Sequence, residues 1–188
     1  GNAFGMAGMA IAVVTTIFLV FKLGAEMAEG GAAAGLGYVL VGLLIGGTAG
    51  TIMAKRVEMT KMPELVAFMH SMIGLAAVFI AIAAVVEPWA FQISAHGQPI
   101  PGGNRIELAL GAFIGAVTFA GSIMAFGKLS GKYKCRLFQG TPVQFKGQHA
   151  LNAALGLAAA FFIFGFWHSQ SWVDILLVIA IGFALGVL

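Results

Sequence analysis

One ionisable side chain lies well inside a long apolar run: His70, within Leu65–Val86. An ionisable group held in hydrocarbon costs at least a few kcal/mol, so it marks a functional candidate by default. Imidazole titrates near neutral pH without any perturbation, which is what proton handling in a membrane requires. If a helix starts near Pro63, His70 sits about seven residues in, ~10 Å from that end at helical rise. Its helical neighbours are Val66, Ala67, Ile73 and Gly74, with Ala77 further on. The small ones leave room for water or for a closely packed helix. Ser71 is adjacent and can donate or accept a hydrogen bond. The competing structural reading is a neutral imidazole bonded to a nearby carbonyl or hydroxyl.

Other polar positions carry less. Glu64 follows Pro63 in the first turn of the same run, where a carboxylate suits a helix N-terminus. Asn152 lies just inside a later apolar run, where it can pair across helices or sit at the interface. Glu107 and Asp174 each fall near the start of a run. His96, His149 and His168 fall between runs, and no Cys/His spacing matches a ligand set, so no metal site is expected. There is no dinucleotide fingerprint, phosphate loop or nucleophile elbow. The expectation is that this chain binds no cofactor and that any redox chemistry lies on another domain.

The elements that must hold these residues follow from composition. Of 188 residues, 60% are apolar and 9% charged, against roughly 25% charged in soluble domains. A water-facing globular surface is thereby excluded. Six apolar stretches approach the ~20 residues that match a hydrocarbon core ~30 Å thick. They run over residues 3–21, 32–54, 65–86, 106–127, 150–167 and 172–188. They lack the alternation of barrel strands. The predicted fold is all-α, a polytopic transmembrane helix bundle of about six spans in the lipid bilayer. The single cysteine, Cys135, excludes a disulfide scaffold. The net charge of +3 comes from scattered basic residues that make no nucleic-acid face. Gly1 opens without a basic leader, and Leu188 stops inside an apolar run, so the sequence reads as a fragment.

Lysine and arginine set orientation through the short loops. The successive connections hold Lys22; Lys55, Arg56 and Lys61; Arg105; then Lys128, Lys132, Lys134, Arg136 and Lys146; and none around His168–Ser171. Loops 55–64 and 128–149 are therefore expected to face the cytoplasm, or the matrix in a mitochondrial inner membrane. Segment 87–105, with Pro88, Pro99, Pro101 and the pair Gly102–Gly103, reads as an irregular external loop. Trp89, Phe91, Trp167 and Trp172 fit an interfacial belt. The 27 glycines include rows four apart at Gly42/Gly46/Gly50, Gly111/Gly115 and Gly182/Gly186, which predict close helix packing.

A family resemblance rests on particular blocks. The stretch Lys55-Arg56-Val57-Glu58-Met59-Thr60-Lys61-Met62-Pro63-Glu64-Leu65-Val66-Ala67, then His70-Ser71 and Gly74-Leu75-Ala76-Ala77, strongly resembles the β subunit of proton-translocating NAD(P) transhydrogenases. So do Gly1-Asn2 with Gly8-Met9-Ala10, and Gly115-Ala116-Val117-Thr118-Phe119 with Gly121-Ser122 and Ala125-Phe126-Gly127-Lys128. These blocks cover most of the first four runs in family order, while the last two runs and segment 87–105 match less clearly. The resemblance implies hydride transfer between NAD(H) and NADP(H), each held on other, soluble domains, coupled to inward proton movement through a membrane domain. It implies that His70 occupies the position of an intramembrane histidine central to the proton path. Ser71, Glu64 and Asn152 are supporting candidates. Implied partners are an α subunit or equivalent NAD(H)-binding and membrane segments, and the NADP(H)-binding domain. Loop 55–64 would lie under that domain. The whole enzyme is expected to be a dimer in a bacterial inner membrane. The family carries a span before Gly1, two after Leu188 and the soluble domain, all outside this sequence. A family asparagine in a later span is not Asn152. The alternatives are a secondary-transporter fragment, with helices broken mid-span, and a purely structural membrane subunit.

Overall fold

The fold is that of a computed structural model describing residues 2–26, 31–131 and 146–188. Most of the basic connection 128–149, with Cys135, lies outside the described residues. The described residues form six helices: α1 (Asn2–Glu26), α2 (Gly31–Arg56), α3 (Met62–Val86), α4 (Gly102–Ser130), α5 (Gln148–Ser169) and α6 (Trp172–Val187). A short 3-10 turn, Met59–Lys61, leads into α3. None of these helices is interrupted mid-length.

Helices α1 to α5 are long and apolar enough to cross a membrane. The sixth, α6, is a shorter apolar helix of 16 residues that runs to Val187. Its start is fixed by Ser171, whose hydroxyl accepts the Val173 N–H at 3.2 Å.

The chain divides into two compact units, Gly1–Val57 and Glu58–Leu188. In the first, α1 and α2 pack side by side. Within this pair, a Cβ on Gly42, Gly46 or Gly50 would meet nothing within 4 Å. That row was expected to mark a tight helix contact; here it has no neighbour, because spacing shows where a small face is and not what covers it.

In the second unit α4 is central, packed against α3, α6 and α5. Its inward face is nearly all small: Ala109, Ala112, Gly115, Ala116 and Ala120 are buried. Small residues let backbones approach, which is how helices gain contact where lipid removes the hydrophobic drive. A Cβ on Gly182 would lie 2.8 Å from the Ala116 methyl, and one on Gly186 would lie 2.6 Å from the Val117 carbonyl oxygen. Ring pairs Phe68–Phe126 and Phe119–Phe183, each 5.5 Å between centroids, flank these contacts.

The end of the unit at segment 87–105 differs from expectation. Helix α4 begins at Gly102, so Gly102–Gly103 is the first turn of a helix and not loop. Pro101 takes the N-cap position, and the Arg105 N–H donates to its carbonyl at 3.1 Å. Gly102 lies close under a distant side chain. A Cβ there would lie 2.9 Å from the indole nitrogen of Trp167 on α5.

Candidate functional site

Helix α3 carries the candidate. Pro63 sits in its first turn, where a missing N–H is harmless, and Glu64 places its carboxylate at the positive end of the helix. Just outside, Lys61 and Glu58 form an exposed ion pair at 3.0 Å. From Met62 to His70 the helix rises ~12 Å at 1.5 Å per residue.

The buried stripe of α3 runs through Ser71, Gly74, Val78, Ala81 and Val85, the spacing of one helix face. His70 borders that stripe and is exposed on the surface of the unit. Its Nδ1 lies 2.9 Å from the Val66 carbonyl oxygen one turn back. Ser71, about 100° around the helix from His70, is fully buried against the bundle. Its hydroxyl donates to the Phe68 carbonyl at 2.6 Å, so the adjacent side chains point to different surroundings and do not bond to each other.

The other candidates lie apart. Glu64 is half-buried and stands ~9 Å from His70 along the axis, about six residues at helical rise. Asn152 is on α5, which packs on α6 and α4. Its Oδ1 is buried and has no hydrogen-bond partner among the described residues. Of His70, Ser71, Glu64 and Asn152, His70 is the one that is both ionisable and exposed on the unit.

Two features of this unit, one beside His70 and one at the opposite end, do not follow from the sequence. The room that Gly74 leaves beside His70 is filled by backbone: a Cβ on Gly74 would lie 2.6 Å from the Phe119 nitrogen of α4. At the far end of α3 and α4, Arg105 gathers carbonyls from two elements. Its Nε donates to Ile100 O at 2.6 Å, and its Nη1 to Trp167 O at 2.9 Å. The Ile100 N–H donates to Gln170 Oε1 at 3.1 Å, fastening the segment before α4 to the α5–α6 turn. A lone arginine beside Pro-Gly-Gly signals a loop charge, and the Trp167 carbonyl it reaches is 62 residues away in sequence. In the same segment Trp89 donates its indole N–H to the Glu87 carboxylate and lies 5.4 Å from the His96 ring.

The whole chain, residues 1–188, matches the family described as NAD(P) transhydrogenase beta subunit. It is 39% identical over 188 residues to the NAD(P) transhydrogenase subunit beta of Rhodospirillum rubrum, covering 100% of this chain and 37% of that protein. The protein of that name from R. rubrum strain ATCC 11170 matches with the same identity and coverage. The chain thus spans little more than a third of the length of these curated relatives. A match that runs from first residue to last, over a helical unit with an accessible imidazole on α3, leads to one assignment: this chain belongs to the NAD(P) transhydrogenase beta subunit family.

Proposed function

We propose that this chain is part of the membrane domain of a proton-translocating NAD(P) transhydrogenase and that His70 carries the translocated proton. Hydride passes from NADH to NADP+ on soluble domains outside this chain. An alpha subunit, implied by the beta designation of the relatives, completes the assembly. The whole is a dimer in a bacterial inner membrane. The observation that carries this reading is His70 itself, an imidazole held on a membrane-length helix and left open to the outside of its packed unit.

Coupling sets a thermodynamic condition. The affinity of His70 for a proton must differ between the states of the nucleotide domain, because a site bound equally in both shifts nothing. Helix α3 is suited to convey that difference. Its first turn lies at the end of segment 55–64, and His70 follows about two helical turns later.

The test is His70→Ala in the assembled enzyme, reading proton uptake into vesicles alongside hydride transfer. Proton pumping and the hydride transfer coupled to it should fall together. Exchange between already bound nucleotides, which needs no proton crossing, should largely survive. Undiminished coupled pumping would reduce His70 to a structural role.

A further inference from the structure

The contact between His70 Nδ1 and the Val66 carbonyl fixes more than a rotamer. A carbonyl oxygen only accepts hydrogen bonds, and its second lone pair is available alongside the helical bond it already receives. At 2.9 Å the opposing nitrogen must therefore donate. Nδ1 carries a hydrogen in the neutral ring as well as in the imidazolium. Nε2 makes no hydrogen bond among the described residues, and the ring lies on the exposed side of α3.

We propose that Nε2 is the only atom of His70 that gains and loses the proton, while Nδ1–H stays on the Val66 carbonyl throughout. This rests on His70 being the carrier. In loading, the Nε2 lone pair takes H+ from a hydronium or other acid, leaving water or the conjugate base, and the ring becomes imidazolium. In unloading, the same N–H gives H+ to a base and the lone pair returns. No electrons are transferred.

The assignment excludes a relay through the ring. In a relay a proton arrives at one nitrogen and another leaves from the other. Loss from Nδ1 would set its lone pair against the carbonyl oxygen, two acceptors face to face. Entry and exit routes must instead converge on Nε2, and direction must come from changing what Nε2 faces. The α3 positions around His70 carry no charge: Val66, Ala67, Ile73 and Gly74. The packed neighbour α4 is uncharged from Leu108 to Gly127. Donor and acceptor at Nε2 are then water or groups of another segment.

The test is solid-state NMR of the assembled enzyme in lipid with ring-15N histidine. The His70 signals are those lost in His70→Gln. In the neutral ring Nδ1 should be protonated and Nε2 bare, and on acidification only Nε2 should gain a proton. A dipolar coupling from protonated Nδ1 to a 13C-labelled valine carbonyl is expected in the unmutated protein, which covers failure of the variant to assemble. A neutral ring protonated at Nε2, or a mixture of tautomers, would overturn the proposal and leave His70 as a carrier intact. Pumping retained in His70→Ala would instead remove the functional reading, whatever the tautomer.

Discussion

Gly74 on α3 and Gly115 on α4 face each other so closely that each carbonyl stands where the other's side chain would begin. A Cβ on Gly74 would lie 2.7 Å from Gly115 O, and a Cβ on Gly115 would lie 2.8 Å from Gly74 O. Gly74 is one turn beyond His70, so this contact fixes the part of α3 that presents the imidazole.

Even a methyl group should therefore separate the helices. Gly74→Ala and Gly115→Ala should each lower stability by about 1–3 kcal/mol, the usual range for overpacking. Gly111→Ala is the control. Its Cβ would meet nothing within 4 Å, and alanine should stabilise that turn by up to ~1 kcal/mol. Unfolding curves of the three purified variants in one detergent check the contrast. Equal stability of all three would mean that α3 and α4 are not in backbone contact.

Arg105 ties the segment before α4 to the last turn of α5. Arg105→Ala should destabilise by about 1–2 kcal/mol, toward the low end for charged hydrogen bonds because the side chain is partly exposed. Arg105→Lys should recover little, since one ammonium cannot span carbonyls that a planar guanidinium reaches at once. Faster proteolytic nicking within segment 87–101 is the expected signature of both.

Asn152 presents a buried acceptor with no partner among the described residues. Asn152→Leu removes that polar group at similar volume. It should raise stability, by up to about 1–3 kcal/mol if the oxygen is as isolated as it stands. A lower melting temperature would show that the amide is bonded in the assembled enzyme.

The basic loops predict sidedness. With Cys135 replaced by serine, a cysteine at exposed Ala95 should react with an impermeant thiol reagent in intact cells. One at exposed Thr60 should react only in inverted vesicles. The opposite pattern would turn the helices over and place His70 near the other face.

Helix number and class were legible because membrane-length apolar runs are a property of consecutive residues. The start of α4 was not. Proline and paired glycines punctuate a sequence, and only the Trp167 indole, contributed from α5, explains why a glycine opens a helix there. Glycine spacing identified Gly115, Gly182 and Gly186 as contact residues but also Gly111, Gly42, Gly46 and Gly50, where a Cβ would meet nothing within 4 Å. Ser71 looked like a companion for His70 because it is the next residue. The 100° step of the helix turned it instead into the bundle. His70 stood out on the page because its type is rare in such a run, yet the atom it uses emerged only from the carbonyl opposite Nδ1.

The glycine–carbonyl contacts along α4 also limit how this unit can move. A helix seated by carbonyls in opposing notches cannot slide by an ångström without driving oxygen into carbon. The permitted displacements are a jump to the next notch, about one turn or ~5.4 Å, or motion of α3, α4 and α6 as one stiff body. A small push on the first turn of α3 would then reach His70 as a tilt of the whole block. The imidazole would change its surroundings while the Gly74–Gly115 contact between α3 and α4 stays the same.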